Sequence, residues 1–204
     1  LEKKTKVMTA EDKRRIAIHE AGHATISWFC QHANPLVKVT IVPRGQALGA
    51  AWYHPEERSI MTREQMLDEI CATLAGRAAE ELFTGHISSG ALDDLQRVTK
   101  GIYSMVVYYG MSDSLYNVSY YNPQQDYGFT KPYSEATAEK IDKEVADMIA
   151  TEFERAKQIL LEHKEQHNEL AKLLMEREVI FTEDVERIFG PRPWKSRTDR
   201  KSVV

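Results

Sequence analysis

The stretch from Thr9 to His32, TAEDKRRIAIHEAGHATISWFCQH, is the segment from which the fold can be argued. Thr9 with Asp12 three residues later is a capping-box pattern, which predicts the start of a helix, and Asn34-Pro35 predicts its end. Apolar residues occur on nearly every side of this helix, so its middle is expected to lie in the protein interior. The polar residues at its centre therefore need a chemical explanation.

Residues 19 to 23, His-Glu-Ala-Gly-His, form a HExxH pattern at that centre. At about 100° per residue, His19 and His23 lie one turn apart on the same face, where two imidazoles can bind one ion. Catalytic zinc sites add a third protein ligand and keep one position for water. Glu20 is close enough to deprotonate that water without being a ligand. The small residues Ala21 and Gly22 are expected to leave room above the helix for a substrate or a second chain.

Two other interpretations of the pattern stay open on the residues alone. His19 and His23 are also compatible with structural histidines on a partly buried helix, or with ligands of a metal that has no catalytic role. An unpaired carboxylate and two imidazoles inside an apolar helix are costly without a cation, which favours a zinc hydrolase with Glu20 as its general base.

The third ligand must come from another segment, because residues 24–30 do not continue into the longer HExxHxxGxxH pattern. Cys30 lies about 10 Å along the helix axis from the histidine pair and is interpreted as a core residue. Asp93 and Asp94 are the best candidates. Asp94 lies at the flank of the buried face of its predicted helix, whereas Asp93 points away and suits the positive end of the helix dipole. The sequence therefore favours Asp94.

The other histidines give weaker signals; they are His32, His54, His86, His163 and His167. The last two have ligand spacing, but they lie on a charge-rich helix without a third ligand nearby. We therefore predict solvated surface positions for both.

The rest of the chain predicts a mainly α fold with a small β-sheet and a C-terminal helical hairpin. Residues 37–41 alternate with period two, and residues 48–54 are predicted to return as an edge strand after a turn at Pro43-Arg44-Gly45. Leu48, Gly49, Ala50, Ala51 and Trp52 are the predicted substrate-binding residues, since an exposed edge can bind an extended peptide. Further helices are predicted from Thr62 to Gly85, from Ser88 to Gly110, from Ser134 onward with a bend near His163, and from Thr182. One short strand is predicted at residues 118–120.

Composition excludes several function classes. The chain has 204 residues, of which 42% are hydrophobic and 28% charged, as expected for a folded globular domain. Its 31 acidic against 27 basic residues argue against a nucleic-acid-binding face. Two cysteines give no disulfide framework, and no stretch approaches the roughly 20 apolar residues of a membrane span.

We predict a metalloprotease domain over residues 1–194, with the catalytic part in 1–110 and a loop and helical part in 111–194, before a disordered tail at 195–204.

Five separate motifs carry information beyond the spacing of single elements. They are residues 19–23, Pro43-Arg44-Gly45 with Leu48-Gly49, residues 75–81, Ser89-Gly90-Ala91 followed by Asp94-Leu95, and Pro132-Tyr133-Ser134. Together these motifs resemble the peptidase domain of the FtsH family, the membrane-anchored, ATP-dependent zinc proteases of bacteria, mitochondria and chloroplasts. The similarity extends over nearly the whole chain, and one departure is Ala75, where the family usually has Gly.

The resemblance implies His19, His23 and Asp94 as ligands of one zinc ion and Glu20 as the general base. It also implies unfolded, misassembled or short-lived substrate proteins and a homo-oligomer, in particular a hexamer. ATP would serve only an upstream ATPase module, and upstream segments would provide the membrane anchor. The expected location is the bacterial inner membrane with this domain in the cytoplasm; a mitochondrial or chloroplast membrane is the alternative. A competing function is an interaction module with a vestigial site, against which the intact Glu20 argues.

Overall fold

The fold is mainly α-helical, with a small three-stranded sheet at one side, as predicted. A computed structural model describes residues 8–43, 48–55, 58–120 and 131–195. Residues 44 and 45 of the predicted turn, most of the loop after Tyr120 and nearly all of the predicted tail therefore lie outside the described residues. In chain order the elements are α1 (Ala10–Phe29), β1 (Leu36–Thr40), β2 (Ala50–Tyr53), α2 (Arg63–Thr84), a 3₁₀ turn (Ser89–Ala91), α3 (Leu92–Val107), α4 (Glu135–Glu162), α5 (Lys164–Arg177), β3 (Val179–Phe181) and α6 (Thr182–Phe189).

The helix α1 is the central element, and its N-terminus has the predicted capping box. The backbone N–H of Asp12 donates to Oγ1 of Thr9 at 3.1 Å, and the N–H of Thr9 donates to Oδ2 of Asp12 at 3.3 Å. These bonds satisfy amides that a helix end otherwise leaves unpaired. Every residue from Ala17 to Trp28 is buried, because α2, α5 and the sheet cover the helix.

The room expected above Ala21 and Gly22 does not exist, because α2 fills it. A β-carbon on Gly22 would lie 2.6 Å from the carbonyl oxygen of Ala75 and 2.7 Å from Cβ of Ala79. Small residues on both helices thus allow a close approach of α1 and α2 rather than access for a substrate. The HExxH helix therefore packs closely against α2, so residues of α2 lie next to its histidines.

The sheet has the strand order β2-β1-β3, with both pairings antiparallel. Val39 of the central strand is paired with Ala51 on one side and Ile180 on the other. β1 and the edge position of β2 agree with the predictions made from the sequence, whereas β3 was not predicted. The short strand predicted at residues 118–120 is wrong: this part of the described chain contains no strand.

A second apolar core joins α2, α3 and α4. Thr62 caps α2 with a capping box through Gln65, and the helix ends at Gly85 in a left-handed conformation with φ of 72°. Leu74 of α2, Ile102 of α3 and Ile141 of α4 are among the completely buried side chains of this core. This packing fixes α3 beside α2.

The C-terminal hairpin bends at His163, where α4 ends and α5 begins. The surface position predicted for His167 is wrong, because this side chain is completely buried. Its ring stacks on Phe83 with centroids 4.3 Å apart, and its Nε2–H donates to the carbonyl oxygen of Ile18 at 3.0 Å. His163 is partly buried and stacks on Phe29. Both histidines therefore connect α5 to the helices beneath it.

Candidate metal centre

The two histidines of the HExxH pattern converge as their spacing predicted. Nε2 of His19 and Nε2 of His23 are 3.1 Å apart, and both side chains are buried. Their rings meet edge to face, with centroids 4.8 Å apart. Successive turns of one helix therefore direct both nitrogens to the same point.

The third member of the cluster is Asp94, in the first turn of α3. Its Oδ2 lies 3.1 Å from Nε2 of His19 and 3.2 Å from Nε2 of His23. Asp93, the neighbouring acid, is exposed to solvent. The structure thus brings Asp94 and not Asp93 to the histidines, as the helical phase indicated. Within the described ranges, His19, His23 and Asp94 are the group of side chains arranged to hold a metal ion.

The hydrogen bonds of the second ring nitrogens show which nitrogen of each histidine is free to bind a cation. Nδ1 of His19 faces the carboxylate of Glu80 at 2.9 Å, and Nδ1 of His23 faces the carbonyl oxygen of Ala72 at 2.8 Å. Both oxygens accept hydrogen bonds, so each Nδ1 carries a hydrogen and each Nε2 is the nitrogen directed at the shared position. Two Nε2 atoms and a carboxylate oxygen therefore point at one position, which a proton or a metal ion can occupy.

This donor set fits a small divalent cation. Two imidazole nitrogens and a carboxylate oxygen come this close together around a cation, either a proton or a metal ion that replaces it. In a tetrahedral zinc site with bonds of about 2.0 to 2.1 Å, neighbouring ligand atoms lie about 3.3 Å apart. The three separations of 3.1 to 3.2 Å are close to that value. Two imidazoles and one carboxylate are ligands that zinc accepts.

The electrostatics of the cluster also favour positive charge. Burial by itself lowers the pKa of His19, but its hydrogen bonds to Asp94 and Glu80 outweigh burial and raise the pKa to about 10. Burial raises the pKa of Asp94, yet its bonds to His19 and His23 dominate and hold the pKa well below its usual range. The cluster therefore keeps its carboxylate ionised and stabilises a cation at the position shared by the three donors.

Glu80 is a functional residue that the sequence analysis did not single out. It lies on α2, its side chain is almost completely buried, and it orients His19 through Nδ1. Carboxylates in this position are common behind zinc-bound histidines, where they fix the ring and its tautomer. One signal was available in the sequence: a carboxylate directly after Ala78 and Ala79, inside a helix of small apolar residues, needs a partner.

Gly76 makes space for the first ligand. A β-carbon on Gly76 would lie 2.3 Å from Nε2 of His19, closer than any non-bonded contact allows. The imidazole thus lies directly over the backbone of α2, in the space where another residue would have its side chain. The same helix supplies Glu80 and the carbonyl oxygen of Ala72, so α2 forms the wall behind both histidines.

Glu20, the predicted general base, is buried beside the two ligands. Burial raises its pKa, and the nearby histidines His23 and His19 oppose that shift. A carboxylate with a raised pKa accepts a proton more readily near neutral pH, as a general base requires.

The predicted substrate segment begins next to Glu20 and forms an edge of the sheet. A β-carbon on Gly49 would lie 2.9 Å from Oε1 of Glu20. Beyond it, β2 pairs with β1 along one edge, and no other strand of the described residues pairs with its second edge. Leu48 and Trp52 are about half exposed, at 47% and 46%, and Nζ of Lys38 lies over the Trp52 ring. An unpaired backbone edge thus runs away from the candidate base.

Comparison with known proteins assigns this arrangement to a family. Residues 6–188 match the family model described as peptidase family M41. An ATP-dependent zinc metalloprotease FtsH of Parabacteroides distasonis is 64% identical over 199 residues, which are 97% of this chain and 29% of that protein. A mitochondrial inner membrane m-AAA protease component of Mus musculus is 44% identical over 205 residues, 100% of this chain and 26% of that protein.

A second bacterial FtsH, from Rhodothermus marinus, is 48% identical over 199 residues, covering 95% of this chain and 28% of that protein. The chain therefore spans between a quarter and a third of the length of these relatives. None of the helices that the structure describes combines the length and apolarity of a membrane span. The matches extend through both apolar cores and the metal cluster, and they confirm the resemblance found from the motifs. The chain belongs to peptidase family M41 and corresponds to the peptidase domain of FtsH.

Proposed function

We propose that the chain is the zinc-dependent endopeptidase domain of a membrane-anchored, ATP-dependent protease. The observation that carries this proposal is the convergence of His19, His23 and Asp94 at 3.1 to 3.2 Å, with a buried carboxylate, Glu20, beside them. Three ligands and a base are the parts that metal-assisted hydrolysis of a peptide bond requires.

His19, His23 and Asp94 would hold one zinc ion per chain. When bound, zinc supplies Lewis-acid chemistry: it lowers the pKa of water and polarises a carbonyl group. Glu80 and the carbonyl oxygen of Ala72 keep the hydrogens of the two histidines on Nδ1, so that Nε2 remains available. Zinc is also part of the printed name of the bacterial FtsH relatives.

Glu20 would take the proton of the attacking water on its carboxylate and then give it to the nitrogen of the leaving amine. Its burial supports this role, because the raised pKa brings the carboxylate closer to the pH at which both transfers must occur. The same burial excludes bulk water, which strengthens its interaction with charge that develops next to it.

Leu48, Gly49, Ala50, Ala51 and Trp52 would hold an extended peptide against the free edge of β2. Main-chain hydrogen bonds to a sheet edge do not depend on side chains, so they suit a protease whose substrates are unfolded, misassembled or short-lived proteins. The contact of Gly49 with Glu20 supports this proposal, because it puts the start of the strand next to the base.

Assembly, energy supply and location are further parts of the proposal. Residues 1–194 would form the protease domain of a hexameric ring, and residues 195–204 a tail. An upstream ATPase module would use ATP to deliver substrates, and upstream segments would anchor the ring in the bacterial inner membrane with this domain in the cytoplasm. A mitochondrial membrane is the alternative that the mouse relative supports, and a chloroplast membrane is a further possibility.

Metal analysis combined with a cleavage assay tests the proposal. The purified chain should retain one zinc after dialysis and cleave a fluorescently labelled unfolded protein without ATP. A strong chelator should abolish cleavage, and added zinc should restore it. A chain that binds zinc and forms rings but never cleaves would instead be a scaffold with a vestigial site. Stimulation by ATP would reveal a nucleotide site within this chain, contrary to the proposal.

A further inference from the structure

Ser88, in the turn between α2 and α3, contacts the carboxylate that supports the metal centre. Its backbone N–H donates to Oε2 of Glu80 at 2.8 Å, and its hydroxyl donates to Oε1 of Glu80 at 3.0 Å. Glu80 in turn accepts the Nδ1–H of His19. Ser88 therefore holds both oxygens of the carboxylate that orients the first metal ligand.

The three donors around Glu80 determine what this residue must be. Oε2 accepts from the N–H of Ser88, while Oε1 accepts from the Ser88 hydroxyl and from Nδ1 of His19. Every contact at the two oxygens is thus an acceptor contact. An amide would place a donor against a donor, so only a carboxylate satisfies the arrangement.

The Ser88 hydroxyl also stabilises the turn that leads into α3, the helix with the third ligand. Oγ of Ser88 accepts the backbone N–H of Gly90 at 3.2 Å and so caps the 3₁₀ turn, which runs directly into α3 and Asp94. Arg77 fixes the turn from the other side, because its Nη2 donates to the carbonyl oxygen of Ser88 at 3.0 Å. One serine thus lies between the support of His19 and the start of the helix that presents Asp94.

We infer that Ser88 is a positioning residue of the metal centre, which couples the orientation of His19 to the position of Asp94. The inference rests on the proposed zinc function. Ser88 contacts no ligand directly. It acts through Glu80 on one side and through the capped turn on the other. Its removal should therefore loosen two of the three ligands at once and weaken zinc binding more than it weakens the fold.

The test compares zinc affinities, measured by competition with a chromophoric chelator, in single variants of the chain. Ser88→Ala should weaken zinc binding about tenfold, the lower end of the range usual for residues that support metal ligands. Ser88→Thr keeps the hydroxyl and should bind zinc like the parent, whereas Ser88→Val has the shape of threonine without the hydroxyl and should bind like Ser88→Ala. Ser89→Ala, a neighbouring exposed serine in the same turn, is the matched control and should leave the affinity unchanged.

Thermal melting of the metal-free proteins separates positioning from stability. The Thr and Val variants should melt within a few degrees of each other while their zinc affinities differ. Equal zinc affinities for Thr and Val, or an affinity loss matched by a collapse of the metal-free fold in Val alone, would overturn the inference. If the parent itself binds no zinc, the proposed function fails instead, so the two failures are distinguishable.

Discussion

Gly49 lies directly against the carboxylate of Glu20: a β-carbon at this position would be 2.9 Å from Oε1 and 3.0 Å from Cγ of Glu20. The residue that leads into β2, the outer strand of the sheet, therefore lies beside the candidate base. This relationship connects two separate sequence predictions, a base on the first helix and a substrate strand beyond a turn.

Replacing Glu20 with Gln tests its role as general base. We expect Glu20→Gln to bind zinc normally but to hydrolyse peptides at least about a hundredfold more slowly, the usual effect of removing a general base. Glu11→Gln, an exposed acid in the first turn of the same helix, is the control. Cleavage of an unfolded protein at the parent rate by Glu20→Gln would rule the mechanism out.

The adjacent acids of α3 should behave differently. Asp94→Asn should weaken zinc binding by at least about a hundredfold, more than is usual for residues outside the coordination shell. Asp93→Asn should bind zinc normally, because its side chain is exposed. Zinc retention after dialysis against a mild chelator measures both, and equal retention in the two variants would contradict the assignment of Asp94.

Gly76→Ala should remove zinc binding without unfolding α2. Alanine is favoured over glycine within helices by roughly 0.5 to 1 kcal/mol, so the helix itself does not suffer. The new β-carbon, however, would lie 2.3 Å from Nε2 of His19 and force the ring away. Gly101→Ala, where the β-carbon meets only the end of the Ile70 side chain, is the control. If Gly76→Ala retained the zinc content and the circular dichroism of the parent, the His19 imidazole would be able to bind zinc from a different position, and the prediction would be wrong.

Proline at two neighbouring positions of β2 distinguishes the free edge from the paired one. The N–H of His54 donates to the carbonyl oxygen of Pro35, on the β1 side. Because successive N–H groups alternate between edges, the N–H of Ala51 points to the free edge and that of Ala50 to β1. Ala51→Pro removes one edge hydrogen bond of about 1 kcal/mol, so the peptide KM should rise about fivefold with zinc content unchanged.

Ala50→Pro is the counterpart, since it should break the pairing with β1 and lower the melting temperature instead. Unaltered peptide kinetics in Ala51→Pro would show that the substrate is held elsewhere.

His167 should make the fold sensitive to acid. Burial lowers its pKa, although its bonds to Ile18 and Asn168 act in the opposite direction. The unfolded chain binds a proton near pH 6.5 whereas the folded chain does not, so the stability from neutral His167 is complete above that pH and declines as the pH falls below it. Urea unfolding of the metal-free protein at pH 7.5 and 5.5 should show a smaller acid loss in His167→Gln than in the parent. His86→Gln, at an exposed site, should match the parent, and equal losses in all three would contradict the prediction.

Features that depend on local periodicity could be predicted from the sequence. The capping boxes at Thr9 and Thr62, the convergence of His19 and His23 and the inward position of Asp94 all follow from helical spacing. In each case the residues involved lie on a single helix, so the geometry is known before the partner element is.

For features that depend on contact with another element, the predictions from the sequence were missing or wrong. The three residues of β3, Val179 to Phe181, are of strand-forming types, but the run is too short to show a period of two, and they form a strand because β1 offers an edge. His167 was assigned to the surface because its helix is rich in charge. It is nevertheless in phase with the buried Leu170 and Leu174, and this spacing was an unused signal. The role of Glu80 depends on His19, which lies 61 positions away.

The donors of the metal centre are separated by 75 positions, from His19 to Asp94, and α2 between them provides the support. A growing polypeptide that has emerged only as far as α1 has two imidazoles but no third donor, no Glu80 and no wall behind the rings. Under the proposed function, the zinc site would therefore be complete only after α3 has docked, and a copy of this chain without that contact would not yet be able to hydrolyse peptides.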